Sequence, residues 1–116
     1  MSTTLSTDAT AQVFDHHLGA FAKGLDELLR DYDDDSVIVT PAKAYRGTGE
    51  IRAFFAAFLE SAKPAFWEAF NVTSKSIEGD VAYLVWEAKP FVPMATDTLY
   101  VKDGKIAVQT FTALSA

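Results

Sequence analysis

Residues 96–111 read TDTLYVKDGKIAVQTF, two largely apolar runs on either side of Asp103-Gly104. An Asp-Gly pair between such runs is a strong hairpin signal, because both central residues of the favoured turn take positive φ. Asp97–Val101 and Ile106–Thr112 are therefore predicted to be neighbouring antiparallel strands. Upstream, Val81–Glu87 (VAYLVWE) is an almost continuous apolar run, the pattern of a strand buried on both faces. Glu78-Gly79-Asp80 before it is a second turn signal. KPFVPMAT, residues 89–96, carries two prolines that cannot donate to a ladder and is predicted to be a loop.

The helices lie earlier in the chain. Residues 1–8 are polar, rich in Ser and Thr, and read as a flexible N-terminus. From Ala9 to Lys23, Phe14, Leu18, Phe21 and then Leu25 recur at helical spacing. After Gly24, Leu25, Leu28, Leu29 and Tyr32 begin a second short helix, with Asp26 and Glu27 in its first turn. Val37-Ile38-Val39-Thr40 reads as a β-branched strand stopped by Pro41. Ile51, Phe54, Phe55, Phe58 and Leu59 make a one-sided stripe on a third helix, with Thr48 as its expected N-cap and Lys63-Pro64 as its end. Helices first and antiparallel strands after them indicate an α+β domain over residues 9–116, a curved sheet wrapped over three N-terminal helices.

Composition narrows the function classes. Ten basic against 16 acidic residues give a net charge of −6, which argues against nucleic acid and anionic membrane as partners. The absence of cysteine excludes disulfides, thiolate metal sites and cysteine nucleophiles. No apolar run approaches the ~20 residues of a membrane span. No signal peptide is read in MSTTLSTDAT, so a cytoplasmic location is expected. Nine Phe, four Tyr and two Trp in 116 residues call for a dense core or a cavity to line.

Four strings, HLGAFAKGLDELLRDYDDDSVIVTP (17–41), RGTGEIRAFF (46–55), GDVAYLVW (79–86) and TDTLYVKDGKIAVQTF (96–111), resemble the nuclear transport factor 2-like superfamily. That superfamily includes the ketosteroid isomerases and the SnoaL-like polyketide cyclases. Its usual Gly-Asp-Leu-Asp phrase is one residue shorter here, Gly24-Leu25-Asp26. The resemblance implies a cone-shaped, cystatin-like α+β barrel with a deep apolar pocket between sheet and helices, and a homodimer. It leaves the chemistry open, since one scaffold hosts isomerases, cyclases, dehydratases and non-enzymatic binders.

Two residues carry the catalytic candidacy. His17 lies about 60° from the centre of the Phe14–Leu18–Phe21–Leu25 stripe, whereas His16 falls on the solvent side. His17 reads either as a boundary histidine bonded to carbonyl or water, or as a pocket acid or base. The resemblance puts it where the steroid isomerases place an oxyanion-binding tyrosine. Asp97 alternates in phase with Leu99 and Val101. It reads either as a strand-edge residue bonding a loop amide or as a pocket carboxyl. The resemblance places it at the isomerases' second oxyanion-hole residue, an aspartic acid kept protonated.

Thr40, before Pro41, stands where the isomerases carry their proton-transferring aspartate, and a threonine hydroxyl is no general base near neutral pH. Steroid-type isomerisation by the same route is thereby disfavoured. Tyr32, Thr40, Phe55, Trp86 and Phe91 are the expected ligand-binding residues, Phe54 and Phe58 the expected core. Phe91, Val92 and Met94 read as a rim over the pocket mouth or a dimer contact. The acidic run Asp31, Asp33, Asp34, Asp35 lacks calcium-loop spacing and reads as a solvated turn, and no metal site, nucleophile motif or cofactor site is read. Three functions follow: a cofactor-independent isomerase, dehydratase or cyclase acting on a small apolar carbonyl or hydroxyl compound, a non-catalytic binder of an apolar ligand, or a homodimeric interaction module.

Overall fold

The buried face of the first helix, α1 (Thr3–Ala20), is Thr10, Val13, Phe14, His17 and Ala20, a spacing of three, one, three and three residues. The computed structural model describes residues 3–114, so α1 begins six residues before the start read from the apolar pattern. A Ser/Thr-rich turn has no apolar stripe and leaves no periodic trace. Gly24, at φ 109°, reverses the chain into α2 (Leu25–Leu29), whose Leu28 is fully buried.

Two short strands follow, β1 (Val37–Val39) and β2 (Ala44–Arg46), then α3 (Gly47–Ser61) and α4 (Pro64–Ala69). Neither β2 nor α4 is legible in the sequence. Thr48 is not the N-cap of α3. That position is Arg46, whose N–H donates to Glu50 Oε1 at 3.0 Å, while the Thr48 hydroxyl donates to Asp34 Oδ1 at 2.6 Å. Pro64 starts α4 at a position where its missing N–H costs nothing.

Four long strands complete the chain: β3 (Phe70–Glu78), β4 (Val81–Ala88), β5 (Val92–Lys102) and β6 (Lys105–Ala113). The sheet is curved and unclosed, ordered β2-β1-β6-β5-β4-β3. Asp103 and Gly104 take φ of 54° and 75°, the two positive values expected of the β5–β6 turn. The sheet is mixed rather than wholly antiparallel, because β1 runs parallel to β6 with Val37 opposite Val108.

Two strand readings need correction. Val81–Glu87 is buried on one face only: Ala82, Leu84 and Trp86 point inward while Val81 and Tyr83 are exposed. The predicted loop at 89–96 is strand from Val92 onward. Trp86 pairs with Ala95 and Ala88 with Val92, so β5 holds one residue more than β4 between these pairs. Pro93 sits in that bulge, where no ladder N–H is required. Helix α1 packs on β3, β4 and β5, α3 on β1, β2 and α2, and α4 on β4, giving one buried cluster. No helix among the described residues is long and apolar enough to cross a membrane.

Candidate functional site

A cavity of about 470 Å³ lies between the sheet and the helices. Cross-strand register builds its floor. Leu84, Asp97 and Phe111 face one another across β4, β5 and β6, and Ala82, Leu99 and Gln109 form the next row. Phe14, His17, Leu18 and Phe21 come from α1 and the turn after it, Phe54, Phe55 and Phe58 from α3, Trp67 and Phe70 from α4 and the start of β3, and Trp86 from β4. The polar groups entering this apolar enclosure are His17, Asp97 and Gln109, with the indole N–H of Trp86.

Asp97 anchors a chain of hydrogen bonds. Its diagonal neighbours on the flanking strands reach it from both sides: Trp86 Nε1 donates to Oδ1 at 2.9 Å and Gln109 Nε2 donates to Oδ2 at 2.9 Å. The Tyr32 hydroxyl donates in turn to Gln109 Oε1. Asp97 is half-buried and lines the cavity. Burial is the largest influence on its carboxyl and pushes its pKa above the ordinary carboxylate value. The Trp86 N–H, the positive charge available to His17 and the Gln109 amide pull the other way. Burial also drives the Tyr32 phenol well above its usual value, with Asp97 and Asp31 adding to the effect.

His17 is 3% exposed and central to the buried face of α1, not at its margin. Its ring stands edge-on to Phe21 at 5.2 Å, Tyr32 at 6.0 Å and Phe55 at 6.0 Å between centroids. Its Nδ1 lies 3.8 Å from Asp31 Oδ2. His16 is not simply solvated. Nδ1 is 2.7 Å from Asp31 Oδ1 and Nε2 is 2.5 Å from Glu27 Oε2. The bond to Glu27 raises its pKa most, burial opposes, and Asp31 adds to the rise. Glu27 is correspondingly held below the ordinary value, chiefly by His16.

Of the sequence candidates, His17, Asp97, Phe55 and Trp86 meet in the cavity. Phe54 and Phe58, expected in the core, also line it. Tyr32 does not line the cavity; its hydroxyl donates to Gln109, which does. Thr40 is outside: its hydroxyl donates to Lys43 O at 2.9 Å and accepts from Lys43 N–H at 3.2 Å in a local turn. Phe91 belongs to a separate depression of about 270 Å³ with Phe58, Lys63 and Phe66. Among the described residues no group of three or more His, Asp or Glu side chains is arranged to hold a metal.

Two buried polar residues at or beside the cavity wall were not legible in the sequence. Asp31 is 5% exposed, not part of a solvated turn. It follows Leu28 by three residues and shares that helical face with Tyr32, which was the available signal. Gln109 is 2% exposed. Alternation counted from Ile106 sends it outward, but Tyr100 pairs with Val108 and Val101 with Ile106. The extra residue, Ala107, reverses the phase and turns Gln109 inward.

Residues 11–109 match the SnoaL-like domain family. No curated protein matches the chain. Several solved structures do share its fold. A nuclear transport factor 2-like protein of unknown function from Burkholderia xenovorans is 20% identical, with a TM-score of 0.74 over 94% of this chain and 85% of that one. A SnoaL-like protein of unknown function from Burkholderia thailandensis is 14% identical, with a TM-score of 0.74 over 93% and 97%. A candidate polyketide cyclase from Sinorhizobium meliloti is 19% identical, with a TM-score of 0.70 over 86% and 93%. Likeness at this level of identity speaks to fold and not to chemistry.

Proposed function

This chain belongs to the SnoaL-like domain family, and on that premise we propose that its cavity takes a small, largely apolar molecule bearing a carbonyl or hydroxyl group and moves a proton on it without a cofactor. The observation that carries the reading is that His17 and Asp97 line the same aromatic enclosure. The cavity volume falls within the ~300–1,000 Å³ of small-molecule sites.

His17 is the proton carrier. With Nδ1 toward Asp31, Nε2 is the ring nitrogen left for a ligand, and it takes a proton from a carbon beside a carbonyl, or returns one to a leaving hydroxyl. Asp97 holds the ligand oxygen. Protonated, it donates to a developing oxyanion; ionised, it accepts from a hydroxyl. Burial, which raises the pKa of Asp97, favours the first of these states relative to a solvated carboxyl. With Thr40 outside the enclosure, any abstraction falls to the histidine. Isomerisation, dehydration and intramolecular cyclisation all fit this pair.

The second reading, a binder without turnover, draws on the occupied state of Asp97, whose two oxygens already accept N–H donors. A panel of enones and hydroxy-ketones separates the two. Catalysis predicts turnover by the parent and a loss of about 10²–10⁴-fold in His17→Ala, with a smaller loss in Asp97→Asn. Thermal stabilisation by panel members without turnover leaves the binder. No stabilisation and no turnover by any member removes both.

The chain is also proposed to pair as a homodimer through the outer face of its sheet. Val81, Tyr100 and Val108 lie there in one cross-strand row, with Tyr83 beside them.

A further inference from the structure

Among the described residues, two buried side-chain polar atoms lack a hydrogen-bond partner: His17 Nδ1 and Asp31 Oδ2. They face each other across 3.8 Å. The other oxygen of the same carboxylate is 2.7 Å from His16 Nδ1. Neighbouring residues on a helix point about 100° apart, so a carboxylate that reaches both rings must sit in the angle between them. Asp31 is held there by its backbone, whose N–H donates to Leu28 O at 3.2 Å and whose carbonyl accepts from Ile106 N–H at 2.7 Å.

We propose that Asp31 is a positioning residue joining the two histidines: it keeps the proton of neutral His17 on Nδ1, so that Nε2 serves the cavity, and it transmits the charge of His16 to His17. This rests on the reading of His17 as the proton carrier. A third of the His16 side chain is exposed, and it exchanges protons with solvent. When it is charged, its two N–H groups go to Asp31 and Glu27, and part of the negative charge of Asp31 is already answered. When it is neutral, Asp31 attends to His17 alone and holds an added proton there more firmly. The cavity histidine thus becomes a better base as the surface histidine discharges. Other charges bear on the pair. Glu27 favours charged His16, and Arg30 stands 3.5 Å from Glu27. Asp97 on β5 favours charged His17. Tyr32 stays neutral, and α3 presents the apolar Phe55.

The test needs no substrate. Ring nitrogens of ¹⁵N-histidine-labelled full-length protein are followed by NMR from acid to alkaline pH, with backbone spectra confirming the fold. In the parent, neutral His17 carries its proton on Nδ1. In Asp31→Asn the proton moves to Nε2, and the proton affinity of His17 falls about tenfold or more. Glu27→Gln, a surface change, loosens the proton on His16 and raises the affinity of His17 in the same pH range. If Asp31→Asn fails to fold, Glu27→Gln and His16→Leu carry the test. An unchanged titration of His17 in folded variants overturns the proposal. Coupling without turnover of any compound supports it and sinks only the catalytic reading.

Discussion

The carboxyl of Asp97 and the surface imidazole of His16 both shift upward, and each loses stability as pH rises, in different pH windows and for different reasons. Asp97 has a raised pKa in the folded chain, so its contribution is fully present below the ordinary value of 3.8 and is lost as pH rises through the folded value. Asp97→Asn removes that loss once the Gln109 amide turns over and Tyr32 accepts instead of donating. Urea unfolding is expected to show the variant more stable than the parent at pH 7, with the difference gone at pH 3. His16 also has a raised pKa, but it gains stability from being charged. That gain is complete below 6.5 and disappears as pH climbs through the folded value. The parent is therefore expected to lose more stability than His16→Gln between pH 6 and 9; equal slopes would contradict the bonding to Glu27 and Asp31. Ser36 is a third case. It is 1% exposed, its hydroxyl donates to Ile106 O at 2.6 Å and accepts from Asp33 N–H at 3.0 Å. Ser36→Ala strands both partners and is expected to cost about 1–3 kcal/mol in chemical denaturation.

Helix α3 divides its work between core and cavity, and substitutions along it expose the division. Ile51 is fully buried, and Ile51→Ala is expected to cost about 2–5 kcal/mol. Phe58 borders the cavity and is only partly buried, so Phe58→Ala enlarges a space already present and is expected to cost less, while changing ligand affinity more. The start of the helix is set by Gly47 at φ 79°, where an added Cβ would lie 3.3 Å from Asp34 O; Gly47→Ala is expected to lose about 1–2 kcal/mol. The same comparison explains what a linear reading captures. The β5–β6 hairpin was legible because Asp103-Gly104 fixes its turn locally, and the α3 stripe because five apolar residues repeat on one face. Helix α4 and strand β2 are too short to establish a period. His17 looks marginal in the sequence because Leu18 and Phe21 draw the apparent stripe toward themselves, whereas the buried face runs through Thr10, Val13 and Phe14. Gln109 was hidden by one extra residue in β6, and Asp31 by the acidic run that follows it. An inward placement of His17 and Asp97 was among the readings that the sequence allowed; the groups that contact them depend on contacts between distant segments.

Across the whole molecule, the apolar row on the outer sheet face makes the proposed homodimer testable. Tyr83→Glu combined with Tyr100→Glu is expected to leave the helices and cavity intact while converting dimers to monomers in sedimentation velocity. A parent that is already monomeric at the same concentration removes the dimer from consideration. The parallel contact between β1 and β6 was the largest feature of the architecture that the sequence concealed, because nothing local to Val37–Val39 says which strand it will join. It also bears on the birth of the protein. As the chain leaves the ribosome, α2, β1, β2 and α3 emerge early, with Ile38 and Ile51 destined for a core whose sheet does not yet exist. Closing so long a loop costs only slowly more with length, but the contacts that reward it arrive last. Until β6 is released, β1 has only β2 beside it and Asp31 O lacks the N–H of Ile106. Through that interval β1 offers an unpaired edge to other nascent chains, and the sheet of this domain closes on it only when β6 arrives.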